Sequence, residues 1–460
     1  MKGMKIAVFG CGYTGLTTAV GLAEMGNLVL GIDTDAAKLA ALKRGRCPFF
    51  EPGLDKLIKR NLARKRLSFS SDAERSILDS DVIICAVATP RGRRNRADLR
   101  AVLKVAGDFG RFMAGGTDAY KKNQKLFINK STVPVGTSEK IRQVIEKSFL
   151  SATKRKEFIP NFSVISNPEF LREGTALDDF MNPDRVVFGL EQASSHSSSK
   201  TKIEIMLSKI FRYDDSVPII YTSLRNAEII KYASNAFLAT RISFANELAD
   251  YCEKVGADIT EVAYAMGFDP RIGHNYLQSG AGFGGSCLPK DLHALIAHGK
   301  KAGLNLRLLK AVKHINDRRP DRILEVLRNE LLKIRGKKIA VWGLSFKPNT
   351  DDLRDAPSIP IIRALLKNGA KVHVFDPAAM NKFRELFQTK VNFGTSATSI
   401  LKDADCLLIL TDWREFGTPD FAKIKKALRN PLIVDGRNCL SPAEVQKHGF
   451  KYLGIGRRRA

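Results

Sequence analysis

Short apolar runs alternate with longer amphipathic stretches at both ends of this chain, and the two ends follow the same order. Near the start, Lys5–Phe9 runs into the turn Gly10-Cys-Gly-Tyr-Thr-Gly15. A helical stretch follows, then an apolar run, Leu28–Asp33, that ends in an acid, and Asp81 introduces another, Val82–Val87. From Lys337 the order returns: Lys338–Trp342 runs into Gly343, Lys371–Asp376 ends in an acid, and Asp405 introduces Cys406–Leu410. Continuous apolar runs of this length are strands buried on both faces, and their alternation with helices predicts parallel, doubly wound sheets. The class expected is α/β, with two such domains joined by a long central helical region and boundaries at 1–205, 206–335 and 336–460.

The middle of the chain has a different period. Asn226–Val255 holds no Gly or Pro and keeps helical apolar spacing, which predicts one long helix, a spine and a dimer interface. Lys231 and Asn235 lie four residues apart on it and share a face, with Asn246 near the same stripe and Ile230, Phe237, Leu238, Ile242, Phe244 and Leu248 around them. Polar groups in such company need partners. A solvated lysine is the ordinary alternative, and Asn235 beside it favours a site. Further on, Gly280-Ala-Gly-Phe-Gly-Gly-Ser-Cys-Leu-Pro-Lys-Asp291 places Cys287 at the start of a helix that runs through His298, with Pro289 in its first turn. The positive end of a helix dipole favours a thiolate. Most lone thiols are small buried hydrophobes, but the Gly and Ser neighbours here favour the reactive reading. Segments 114–125 and 194–200 read as surface loops.

Composition narrows the picture. At 460 residues, with 44% hydrophobic and 27% charged content, the chain is a globular protein of more than one domain. No apolar run approaches the length of a membrane span, and no apolar leader precedes the first strand, so neither membrane insertion nor secretion is expected. The seven cysteines are scattered and never spaced C-x-x-C, which points to a reducing cytoplasmic setting without disulfides or a zinc site. The net charge of +27 raises nucleic acid, an anionic surface or steering of an anionic small molecule. Its clusters, Arg91–Arg96 and Arg457–Arg459, lack interleaved aromatics, and no nucleic-acid motif accompanies them.

Candidate chemistry gathers at the strand ends. Gly10-x-Gly12-x-x-Gly15 between a strand and a helix, with Asp33 ending the next strand, is the dinucleotide fingerprint. The glycines let a pyrophosphate approach the helix N-terminus, and Asp33 binds ribose hydroxyls, favouring NAD. Asn167-Pro-Glu-Phe-Leu-Arg-Glu-Gly174 reads either as an acidic turn or as a loop whose carboxylate activates water. Ser131-Thr132 ends a strand, where its hydroxyls either meet a cofactor or cap the next helix. In the second half, Gly343-Leu-Ser-Phe-Lys-Pro348 replaces the fingerprint. Lys347 and Arg354 suit a different anionic ligand there, unless that half is a scaffold only.

Together these motifs resemble the nucleotide-sugar dehydrogenases of the UDP-glucose/GDP-mannose dehydrogenase family. The resemblance runs in order from GCGYTG through STVPVGT, NPEFLREG, AEIIKYASNAFLATRISFANE, RIGHNYLQSGAGFGGSCLPKD and FKPNTDDLRDAPS to DGRN. It implies two Rossmann-like domains and oxidation of a sugar hydroxymethyl group to a carboxylate with two NAD and no metal. It assigns Cys287 as nucleophile, Lys231 and Asn235 to the oxyanion, Asp291 to organising water and the cysteine, Thr132 to ordering water and Glu169 to general base catalysis. It assigns Thr14, Lys38, Thr89, Thr132, Glu173, Lys290 and Arg354 to NAD beside Gly10, Gly12, Gly15 and Asp33. For the UDP-sugar it assigns Glu169, Phe170, Leu171, Arg172, Glu173, Lys231 and Asn235, with Tyr276, Leu277, Gln278, Ser279, Gly280, Gly284, Phe346, Lys347 and Arg437, and Arg271 reaching in from a partner subunit. A homodimer or higher homo-oligomer is implied, without nucleic-acid or membrane partners. The 271–285 loop and the Gly15-Leu-Thr-Thr turn favour UDP-glucose over a UDP-N-acetylhexosamine or GDP-mannose. Two features depart from the family's pattern: the basic run Thr89–Asp98, and Tyr276 with Gln278 in the sugar loop.

Overall fold

The computed structural model describes residues 3–92, 95–115, 124–153, 161–191 and 201–457. The expected loop at 194–200, most of that at 114–125, and parts of the basic clusters at 91–96 and 457–459 lie outside the described residues. The chain divides into two compact units, 1–233 and 234–460.

In the first unit the strands are β1 (Lys5–Phe9), β2 (Leu28–Ile32), β3 (Leu67–Ser70), β4 (Val82–Cys85), β5 (Lys125–Asn129), β6 (Phe162–Ser166), β7 (Val186–Leu190) and β8 (Ile219–Ser223). They form one sheet in the order β3-β2-β1-β4-β5-β6-β7-β8. Successive side chains alternate between its faces. Ile6 and Val8 pack with Leu16, Val20 and Ile84 on one side, while Ala7 and Phe9 pack with Ile83, Phe109 and Phe127 on the other. Both faces are therefore core, as the unbroken apolar runs predict. One pairing departs from the all-parallel expectation: β7 runs antiparallel to β6, and β8 is parallel to β7. The segment between β6 and β7 holds one short helix, Ala176–Met181, and brings the chain back in the opposite direction.

The second unit repeats the six-strand core of the first. Its sheet is β9 (Lys338–Trp342), β10 (Lys371–Phe375), β11 (Asn392–Phe393), β12 (Cys406–Ile409), β13 (Leu432–Asp435) and β14 (Lys451–Gly454). The order is β11-β10-β9-β12-β13-β14, with every pairing parallel. In both sheets the strand order reverses beside the first strand, and such crevices at the strand ends are where doubly wound sheets take ligands. The helical region expected in the middle includes Leu224–Val255, Ile259–Gly267, Leu288–Lys301 and Arg307–Leu331. No helix among the described residues is long and apolar enough to cross a membrane.

The fingerprint turn is fixed by backbone packing. A Cβ on Gly15 would lie 1.7 Å from the Gly10 carbonyl oxygen, so the first helix, Tyr13–Glu24, meets β1 only because residue 15 has no side chain. Gly15→Ala is expected to destabilise the first unit by about 1–3 kcal/mol. Its thermal midpoint should fall below that of the wild type; an unchanged midpoint would mean that the turn opens without strain.

Candidate functional site

In the first unit the fingerprint residues surround the end of β1. Gly12 caps the first helix and a Cβ there would meet nothing within 4 Å, which leaves the helix N-terminus open to an approaching phosphate. Gly10 lies at φ +94°, and Thr14 is in the helix's first turn. Asp33 follows β2 and accepts the Cys11 amide at 2.9 Å and the Lys38 ammonium at 2.9 Å. Burial pushes its carboxyl up, but the bonds from Lys38, Asp35 and Cys11 outweigh that and hold it below the ordinary range. An open helix end and a partly exposed ionised acid fit a dinucleotide. In the second unit the corresponding acid, Asp376, is 1% exposed and accepts the amides of Leu344 and Ser345 and the indole N–H of Trp413. That turn is closed by its own acid.

Thr89 and Thr132 follow β4 and β5, and the Thr89 hydroxyl donates to the Thr132 carbonyl at 2.8 Å. After β6, Asn167–Glu173 brings Glu169 to the Lys231 ammonium at 3.1 Å, with side chains 6% and 4% exposed. The other Glu169 oxygen accepts the Leu171 amide at 2.6 Å. The Phe170 ring lies 5.5 Å from the Lys231 nitrogen. Arg172 turns outward and pairs with Asp179. Glu51, which the sequence did not single out, accepts the amides of Gly174 and Ala176 and so pins the end of the segment that carries Glu169 and Glu173. Glu228, one turn before Lys231, accepts the Gly136 and Ser138 amides and the Ser138 hydroxyl just beyond Thr132.

In the second unit Cys287 is the N-cap of Leu288–Lys301, with Pro289 in the first turn. Its sulfur lies 3.4 Å from the Ser286 hydroxyl. Asp291, 1% exposed, accepts the Asn235 amide at 2.6 Å and also pairs with Lys290. The loop before Cys287 is held by side chains from two helices. Asn246 accepts the Gly280 amide, Asn316 accepts the Phe283 amide and donates to its carbonyl, and Arg319 donates to the Gly280 carbonyl. A Cβ on Gly284 would lie 2.4 Å from the Asp355 carbonyl oxygen and one on Gly280 2.5 Å from that of Gly436. These two glycines serve close backbone approach. Arg437 donates to the carbonyls of Leu410, Gly282 and Phe346, joining the 271–285 loop to the Phe346-Lys347 turn. Ser279 is buried and bonded by Asn438, Leu277 is buried, Gln278 is exposed, and Tyr276 takes a left-handed backbone at φ +63°. Arg354 pairs with Asp352 and Arg271 with Asp269. One expectation is corrected: Phe237 and Phe244 do not surround the polar stripe but are 62% and 46% exposed. Phe237 stands two residues past Asn235, about 200° round the helix.

A fingerprint turn with an open helix end, in a sheet that reverses beside it, defines a dinucleotide-binding protein of the doubly wound class. Family models cover most of the chain: the NAD-binding domain of the UDP-glucose/GDP-mannose dehydrogenase family at residues 4–211, its central domain at 225–318 and its UDP-binding domain at 340–442. The chain is 41% identical to a UDP-glucose 6-dehydrogenase of Pseudomonas aeruginosa, over 99% of this chain and 98% of that one. It is 42% identical to one of Bacillus subtilis, over 98% and 93%. Its fold matches a UDP-glucose dehydrogenase of the archaeon Pyrobaculum islandicum with a TM-score of 0.88 at 36% identity, covering 99% of this chain and 98% of that one. The chain belongs to the UDP-glucose/GDP-mannose dehydrogenase family.

Asn316 satisfies both peptide groups of Phe283, and removing it strands two buried partners. Asn316→Leu is expected to cost about 2 kcal/mol and to speed hydrogen exchange at the Phe283 amide; exchange at the wild-type rate would show that the loop is held by other contacts.

Proposed function

We propose that this chain oxidises UDP-glucose to UDP-glucuronate, a four-electron reaction that passes through a thioester on Cys287. The observation that carries the reading is Cys287 at a helix N-terminus with the Asn235–Asp291 pair in the same unit. The substrate named for the relatives at 41% and 42% identity supports UDP-glucose as the sugar. Three functional parts are proposed with it: 1–205 for NAD, 206–335 for the cysteine and dimerisation, and 336–460 for the UDP-sugar.

Gly10, Gly12, Thr14, Gly15, Asp33, Lys38 and Thr89 would hold NAD, with Glu173, Lys290 and Arg354 as further contacts. When bound, NAD accepts a hydride from the sugar carbon, once in each of the two oxidations. Lys231 and Asn235 donate hydrogen bonds to the oxygen on that carbon as charge develops there. The first hydride leaves with the hydroxyl proton, which passes to water, to give the aldehyde. Cys287, its own proton already lost to water, adds as the thiolate to that carbon, forming a C–S bond and an alkoxide that these donors stabilise. Loss of the second hydride from that carbon leaves the thioester. Glu169 takes a proton from a water ordered by Thr132, the oxygen attacks the thioester, the C–S bond breaks and the carboxylate leaves. Asp291 would help organise that water and the cysteine, and its bond from Asn235 supports the role.

A homodimer working in the cytoplasm is proposed as well. Phe237, Phe244 and Tyr251 recur at seven-residue intervals on Leu224–Val255, and all are exposed in the single chain. A patch of that kind marks an interaction surface. Arg271, its side chain 87% exposed, is available to a partner.

With limiting UDP-glucose and excess NAD, two NADH should form per sugar, and one per sugar would overturn the four-electron reading. Turnover of a UDP-N-acetylhexosamine or GDP-mannose in place of UDP-glucose would move the substrate. Cys287→Ala should form no acid, and acid at the wild-type rate would remove the covalent step. Sedimentation should give a dimer that Phe237→Glu with Phe244→Glu dissociates; a wild-type monomer would contradict the proposed interface.

A further inference from the structure

Lys130 stands between the end of β5 and Ser131-Thr132, and neither the fingerprint nor the proposed chemistry uses it. Its side chain is buried, with 5% of the residue exposed. Its ammonium donates to Asn167 Oδ1 at 2.9 Å. Asn167 is locked in turn: its side-chain amide donates to the Val187 carbonyl at 2.9 Å, and its backbone amide to that of Asn129 at 2.9 Å. Two residues on is Glu169, already paired with Lys231. The charged groups that act on Lys130 are Glu169, from the segment after β6, and Lys231, from the long helix. The helix Ala176–Met181 and the end of Lys202–Ile210 present rings to it, Phe180 and Phe211, each 5.9 Å away. A lysine is costly to bury, and here one carboxylate lies among two of them.

We propose that Lys130 is a positioning residue for the Glu169 carboxylate, holding the Asn167-Pro-Glu169 turn through Asn167 and, with Lys231, supplying the positive charge around it. The reading rests on Glu169 as the base of the proposed reaction. Burial pulls the Lys130 ammonium down to about 8, against the pull of Glu169 in the other direction and with help from Lys231. The hold on the turn is therefore strongest below that pH and loosens above it, as the ammonium loses its proton and donates more weakly to Asn167.

Two measurements test this separately. The first follows the Asn167 side-chain amide by NMR in protein labelled at asparagine, without cofactor or substrate. It should titrate with a midpoint at about 8. The midpoint should fall in Glu169→Gln, which removes the partner that favours the charged lysine, and the transition should vanish in Lys130→Arg, whose charge persists. An amide that does not titrate, or a midpoint unmoved by Glu169→Gln, overturns the coupling whatever the role of Glu169. The second follows kcat against pH. Wild-type activity should fall on the alkaline side near the same pH, and Lys130→Arg should abolish that fall. A fall that persists unchanged in Lys130→Arg overturns the positioning role. Should the arginine variant not fold, Lys130→Met serves for both: no Asn167 transition, and kcat lowered about tenfold or more at every pH. Wild-type kcat in Lys130→Met overturns the proposal, while wild-type kcat in Glu169→Gln removes the base and leaves the NMR coupling standing.

Discussion

An ammonium and a carboxylate, Lys231 and Glu169, meet 3.1 Å apart almost without access to water. Two charges taken out of water are stable together only when further hydrogen bonds hold them in register. Much of the first unit's local structure follows from that need. The Leu171 amide binds the second carboxylate oxygen, Lys130 and Asn167 brace the turn from β5, and Glu51 pins the far end of the segment. On the long helix, Glu228 holds the loop beyond Thr132 one turn from Lys231. Burial raises the Glu228 carboxyl despite three donors that lower it.

The second unit solves a different problem by the same means. A loop rich in glycine has little side-chain surface to fix it, so polar side chains from neighbouring helices hold its peptide groups instead: Asn246, Asn316 and Arg319 on the segment 280–283, and Arg437 on the Gly282 and Phe346 carbonyls. Arg319 is 2% exposed. Its ion pair with Asp250 balances a charge whose other bonds go to backbone oxygens. The loop delivers Cys287 to the helix end, and the Asn235–Asp291 bond fixes the first turn behind it.

What was legible in the sequence was local. The strands, the fingerprint with Asp33, the long helix and the cysteine N-cap each rest on a pattern of a few neighbouring residues. The motifs of the family add order along the whole chain. Less legible were pairings across distance. Asp376 ends its strand as Asp33 does, yet the amides of its own glycine turn and Trp413 consume it. Nothing in the run Lys371–Asp376 records that. Lys130, Glu228 and Asn316 look like ordinary polar residues, because their partners are turns and amides dozens of residues away. Phe237 and Phe244 share the apolar character of the residues around the polar stripe, but their angular position on the helix sends them to the surface. The antiparallel β7 depends on a connection too irregular to read as a crossover.

The proposed reaction turns on a bond between the sugar carbon and Cys287. If Glu169 acts after that bond has formed, Glu169→Gln should still make the thioester and fail to release it. Acid-quenched mass spectrometry of Glu169→Gln with UDP-glucose and NAD measures this directly. One UDP-glucuronyl adduct is expected, on the peptide that contains Cys287 and absent from the Glu169→Gln, Cys287→Ala double variant. Acid formed in Glu169→Gln at the wild-type rate with no adduct on that peptide would contradict the proposed reaction.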